Sequence, residues 1–526
     1  MVHVKSPFFQ HAFLVVLCLW LAFFLRVWGL DFGLPYKLHP DEDKYVDPAL
    51  TWHTTGQMEL EFINPPLFTY ALTAADWLWF ALVPFTPSEQ WVTGAYVFAR
   101  LWSVFFSMLT IPLAYAIGKR LHSRQAGLVA LGLLSGLFLL AREAHFAVND
   151  TAVTFFVLLA IYFSVRLFQQ GRLSTYLAAG ASVGLAAAAK LTGGIAVLSL
   201  LLAHSLLRKK KLLYAVLSLG AALAAFLAVS AHILGEWSLF VEAITAHLEF
   251  GAEGYKGLRM APMAGWGFYS YVIGWGMGWP MLLAACLTLV GVAWQRRRQE
   301  LVLAIVPIAL FIYMGGQKIV FARFLLPAIP PLVVLVAIKL VVLAKRCPFW
   351  QRHQGKIWSL AIGILLVQPL ANSIWFDHLL ALPDTREVAT QWFLEQFPQN
   401  TVVDRESYSI LPSTAFLGSD WPYELHTLSG SNQVEGGVDR YLARKAELVV
   451  LSNFSSGRVR ESAAEEEMRL KQLALLDEKA TLIKVFNPYV SNYDGWLYLD
   501  ELYGPAAETL QRVRAGPLIK VYRLTK

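Results

Sequence analysis

Long apolar runs separated by short polar breaks set the architecture of this chain. A helix needs about 20 apolar residues to cross a hydrocarbon core of roughly 30 Å. About eleven runs read as spans by that criterion. They fall at 12–30, 94–117, 126–140, 151–168, 176–189, 193–207, 212–234, 268–294, 301–315, 324–343 and 357–376. The fifth and sixth are short and separated only by Lys190-Leu191-Thr192. Leu25-Arg26-Val27-Trp28 offers no small-residue cleavage pattern, so the first run is expected to stay as a helix rather than leave as a signal peptide.

Two stretches break the pattern. Residues 31–91 carry apolar and aromatic positions at helical spacing over 45–52 and 67–82, with Asn64-Pro65-Pro66 between them. Trp77, Trp79 and Phe80 suit a helix lying in the membrane interface. Beyond 376 the composition changes. Helical patterns at 385–397 and 462–476 alternate with strand patterns at 401–403, 448–451, 482–486 and 518–524. The expected fold is therefore a polytopic α-helical membrane domain, 1–376, followed by a small α/β domain, 377–526.

Charge supplies the orientation. Lys119, Arg120 and Arg124, then Arg166 and Arg172, the run 208–211, the run 296–298, and Lys345, Arg346, Arg352 and Lys356 all fall on one side if the N-terminus is cytoplasmic. The 31–91 loop and the tail then face the extracytoplasmic side of a plasma (inner) membrane. The chain has 526 residues, 56% hydrophobic and 15% charged, so its net charge of +7 is chiefly a topological signal. Each basic run adjoins an apolar span instead of joining one patch, which excludes a nucleic-acid partner. Three cysteines, Cys18, Cys286 and Cys347, lack metal-ligand spacing and leave the external parts without a disulfide.

Candidate chemistry begins at His39-Pro40-Asp41-Glu42-Asp43-Lys44-Tyr45, just past the first span. Carboxylates bordering a bilayer are costly to desolvate, and here they suit a general base or a divalent metal ligand. Asp41 and Glu42 cannot face the same way on a helix, so one can meet a substrate while the other binds a metal or anchors the loop. Asp150, in a turn on the same side, either caps the following helix or works beside Asp41. Lys190, Lys256, Arg259, Lys318 and Arg323 are exceptions to the positive-inside pattern, because the topology places them outside. Together, opposite exposed carboxylates, they point to an anionic ligand such as a phosphate headgroup.

His39-Pro40-Asp41-Glu42 with Lys44-Tyr45, then Asn64-Pro65-Pro66-Leu67, Asp150 opening a helix, and Ala189-Lys190-Leu191-Thr192-Gly193 resemble the GT-C membrane glycosyltransferases. The branch is that of the protein O-mannosyltransferases and the lipid A aminoarabinose transferase. The resemblance implies an inverting transferase taking a sugar from a polyprenyl-phosphate donor in the bilayer and passing it to an extracytoplasmic glycan, lipid or protein. It implies Asp41 as base, with Glu42 its partner and Asp150 a second acid. Lys44, Tyr45, Lys190 and Arg323 fall where that family contacts the donor phosphate, and the external Lys318 joins them by charge. The rival reading is a transporter or flippase of lipid-linked sugar, which predicts midplane charges and inverted repeats. The charges here sit at helix ends, and the sequence shows no repeat.

Overall fold

The computed structural model describes residues 7–58, 60–82, 89–410, 423–428, 441, 443–491 and 497–524. The apolar runs form a helical bundle. Among the described residues, six helices are long and apolar enough to cross a membrane, including Asp150–Gln170, Leu212–Val229 and Arg298–Gly315. Leu173–Ala189 and two other apolar helices are shorter. Lipid-facing helices keep their apolar side chains outward: in Leu212–Val229 only Ala215 and Ser218 are buried. Arg26, in the first helix, is fully buried, yet its guanidinium donates to Ser107 Oγ at 2.8 Å and to the Ala22 carbonyl at 2.7 Å. A charge at that depth persists only with such partners.

Two expected spans are broken. The third divides into Arg124–Ser135 and Phe138–His145, bent by 61°. The run at 268–294 is not one helix but two, Gly265–Met277 and Trp279–Gln295, meeting at 116°. Gly278 has φ +91° there, and Pro280 follows in the first turn of the next helix. Hydropathy is blind to both features, because a left-handed residue between apolar neighbours leaves the average unchanged.

The basic turns gather at one end of the bundle. Arg120 donates to Gln169, Gln169 to Gln299, and Lys339 to Glu300. At the other end lie the first loop and the tail. The loop carries helices Asp43–Thr55 and Leu67–Leu82, as its spacing predicts.

The tail folds around a five-stranded sheet of β1 (Val402–Glu406), β2 (Glu424–Leu428), β3 (Leu448–Ser452), β4 (Ala480–Phe486) and β5 (Ile519–Leu524), in the order β2-β1-β3-β5-β4. β1 runs parallel to β2 and β3, while β5 runs antiparallel to β3 and β4. Alternation divides the strands between two faces. Val403, Leu448, Val450 and Val521 pack with Phe393 of helix Thr385–Gln396. Val449, Leu451 and Tyr522 pack with Leu476 of helix Ala463–Lys479. Sequence periodicity gave no sign of β2, a five-residue strand at the edge.

The tail is not independent of the bundle. Leu497, Leu499, Leu502, Ala506 and Ala515 belong to the bundle's own core. Trp375 Nε1 donates to the Arg512 carbonyl at 3.0 Å, and Tyr271 Oη donates to Glu508 at 2.7 Å.

Candidate active site

Asp41 sits one residue before Glu42, which precedes the first turn of helix Asp43–Thr55. The two adjacent carboxylates diverge. Asp41 lines a cavity of about 920 Å³. Glu42 turns away and is fully buried, held by Arg100 Nε and Nη2 at 2.7 Å each and by the Ala147 N–H at 2.7 Å. Burial alone would raise the Glu42 pKa, but the Arg100 charge and these hydrogen bonds hold it below the ordinary value. Glu42 therefore ties the first loop to helix Glu89–Leu121 and does not reach the cavity. A metal shared between Asp41 and Glu42 does not fit, since both Glu42 oxygens already accept from Arg100. Among the described residues no three His, Cys, Asp or Glu side chains converge as metal ligands.

Four charged side chains join Asp41 at the polar end of the cavity. Asp41 accepts from Lys44 Nζ through Oδ1 and from Arg323 Nη2 through Oδ2, each at 2.7 Å. Asp150 accepts from Lys190 Nζ at 2.6 Å and lies 3.8 Å from Arg323 Nε. Arg323 thus bridges the two acids. Its Nη1 is buried with no hydrogen-bond partner among the described residues. Burial opposes ionisation of Asp41, but Arg323 and then Lys44 outweigh it and hold its pKa down at about 2.

Local folding explains these positions. Asn149, not Asp150, holds the N-cap position; Asp150 is the first residue of the helix and its side chain accepts from Lys190. Lys190 sits in extended backbone between helix Leu173–Ala189 and the tight turn Leu191–Ala196. Arg323 lies in the tight helical stretch Ala322–Ala328. His39 is buried, stacks on Phe146 at 4.4 Å, and accepts the Asp41 N–H at 3.3 Å. Burial pulls its pKa down to about 4, so it stays neutral at pH 7. Tyr45, also expected at the site, lines the cavity and donates to Asn64 Oδ1 at 3.1 Å.

Lys318 departs from expectation. It is exposed and pairs with Glu461 of the tail at 3.3 Å, outside the cavity. Its neighbours Gln317 and Ile319 line the cavity, so the topology found the right segment but not the direction of this side chain. Arg259 likewise meets the tail, its N–H donating to the Val459 carbonyl at 3.0 Å.

The rest of the cavity wall is largely apolar. Leu310, Met314 and Phe324 contribute to it, as do Ile244 and Leu248 of helix Trp237–Glu253. That helix, which also brings His247 to the cavity, has no expected counterpart, because Glu242 and Glu249 interrupt its apolar spacing. Tyr503, which comes from the tail, also lines the cavity and was not legible in the sequence. A cluster of acids and cations at one end of an apolar chamber suits a ligand with an anionic head and a hydrocarbon chain.

The bundle is that of a multi-pass membrane protein, and its fold is shared with solved membrane proteins of the GT-C type. Residues 93–234 match the sequence model of the dolichyl-phosphate-mannose-protein mannosyltransferase family. No curated protein matches the chain by sequence. Among solved structures, ArnT from Cupriavidus metallidurans, bound to undecaprenyl phosphate, superposes with a TM-score of 0.52 at 13% identity over 98% of each chain. The archaeal oligosaccharyltransferase AglB from Archaeoglobus fulgidus, in complex with an inhibitory peptide and a dolichol-phosphate, gives 0.55 at 11% identity, covering 99% of this chain and 89% of that one.

Proposed function

We propose that the protein is an inverting glycosyltransferase that takes a sugar from a polyprenyl-phosphate donor and delivers it to an extracytoplasmic acceptor. The observation that carries the reading is the placement of Asp41, Lys44, Lys190 and Arg323 at one end of an apolar-walled cavity. The lipid-phosphate ligands in the ArnT and AglB structures favour the same donor chemistry.

In this reading the donor phosphate enters between Lys44, Lys190 and Arg323 and takes over the cations now paired with Asp41. Tyr45 lines the same wall. Freed from Arg323, Asp41 regains basicity and accepts the proton of the acceptor hydroxyl or amine. The acceptor atom forms its bond to the anomeric carbon as the carbon–oxygen bond to phosphate breaks, and polyprenyl phosphate leaves with the electron pair. The three cations stabilise the charge that develops on the leaving oxygen. A single displacement inverts the anomeric carbon. Asp150 holds Lys190 and faces Arg323, so it orders the cations. Glu42 acts by holding the loop that carries Asp41.

The test separates transfer from transport. Purified protein in liposomes is given a panel of radiolabelled polyprenyl-phosphate sugars and a membrane extract as acceptor source. Release of polyprenyl phosphate with label passing to an acceptor supports the proposal. Label that crosses the bilayer still attached to its lipid contradicts it.

A further inference from the structure

Tyr503 lies in the tail, 180 residues beyond Arg323, yet its ring is the aromatic surface nearest the Arg323 guanidinium, with centroid 4.1 Å from Cζ. Phe321 and Phe324 lie further off, at 4.8 and 5.9 Å. Tyr503 also meets Phe321 edge-on at 4.9 Å and His39 at 5.4 Å. Its ring thus touches the residues flanking both Asp41 and Arg323.

The segment carrying Tyr503 is clamped rather than loosely apposed. Asp500 Oδ1 accepts the N–H of Ala322, the residue before Arg323, at 2.9 Å. Asp500 Oδ2 and the carbonyls of Tyr503 and Gly504 accept from Nη2 of the fully buried Arg142, at 3.1, 3.2 and 2.5 Å. The Leu499 N–H donates to the Met260 carbonyl at 3.2 Å. Gly504, at φ +90°, supplies the left-handed turn that brings its carbonyl to Arg142.

We infer that Tyr503 is a positioning residue for Arg323, so that the tail completes the phosphate site of the membrane domain; this rests on the phosphate reading above. The reason lies in what each partner does when the ligand arrives. Asp41 is an exchangeable partner, since a phosphate competes for the same guanidinium nitrogens. A ring face cannot be displaced in that way. It holds the guanidinium plane while Nη2, released by Asp41, is taken up by the incoming oxygens. Cation–π contacts in desolvated settings have the strength this needs.

The test is binding of farnesyl phosphate to the full-length protein in nanodiscs, by calorimetry. Tyr503→Leu is expected to weaken binding about 3- to 30-fold, the range of a desolvated cation–π contact. Tyr503→Phe, which keeps the ring and loses only the hydroxyl that also meets Arg323, should lose less than Tyr503→Leu. Tyr503→Leu added to Arg323→Ala should cause no further loss, which a merely structural role would not reproduce. Tyr503→Met, which keeps side-chain volume without a ring, serves in its place if Tyr503→Leu does not fold. Binding lost in Arg323→Ala but unchanged in the Leu and Met variants overturns this inference alone. Wild-type binding by Arg323→Ala overturns the phosphate reading and this inference together. A Tyr503→Phe variant as weak as Tyr503→Leu overturns the ring's role.

Discussion

At Asp41 one carboxylate is held by two cations through its two oxygens, and this sets what mutation should do. Removing its charge takes away the proposed base and also a competitor for Arg323. Asp41→Asn is therefore expected to lower transfer on the order of 10²–10⁴-fold. It is expected to bind farnesyl phosphate at least as tightly as wild type. Weaker binding by Asp41→Asn, measured in nanodiscs, would show that the carboxylate does not occupy the phosphate's place. Glu42 is expected to behave differently. Its alanine variant leaves Arg100 buried and unpaired, which costs roughly 3–5 kcal/mol, read as a lower melting temperature with no protein-independent change in the donor. The lowered pKa of Glu42 also fixes the sign of a pH effect. Its stabilisation is present above the ordinary carboxylate value and fades as pH falls through the depressed folded-state value. Melting of Glu42→Gln should accordingly approach that of wild type as the pH is lowered below about 4. The pair was visible in the sequence as two adjacent acids. Which acid faced the cavity was not, because that depends on Arg100, far along the chain.

The helices of the first loop, and the tail's strands apart from β2, follow from spacing alone, since burial of one face dictates period 3.6 or 2. The elements that escaped are those whose signal is not periodic apolarity. Helix Trp237–Glu253 has no buried residues and carries acids along its length, so it reads as loop even though it walls the cavity. The bend at Gly278 resides in one backbone angle. A Cβ there would come within 2.9 Å of Pro369 Cδ and would be strained by the existing φ of +91°. Gly278→Val is expected to lose about 1–3 kcal/mol from the backbone strain alone, measured as thermal stability in detergent. An unchanged melting temperature would mean that the helix pair does not need this bend.

Across the whole molecule, the basic turns occupy one end of the bundle and the cavity, first loop and sheet the other. On the positive-inside rule we propose that the sheet lies outside the cell membrane. Lys484→Cys on the exposed part of β4 is expected to react with a membrane-impermeant thiol reagent in intact cells. Cys347, exposed beside the basic turn, should react only after the membrane is opened. The reverse pattern would invert the proposed orientation. The tail's share in the site was the least legible feature of all. Tyr503 has no motif, and only the folded chain brings it to Arg323.

Sugar transfer from a polyprenyl phosphate is proposed to depend on Asp41 and the cations that face it. The most direct measurement compares wild type with Asp41→Asn, in nanodiscs, for release of polyprenyl phosphate from a radiolabelled donor with label entering an acceptor. Release and labelling in equal amounts are expected of wild type, and near-background turnover of a correctly folded Asp41→Asn that still binds farnesyl phosphate. Equal turnover by the two proteins would contradict the dependence on Asp41.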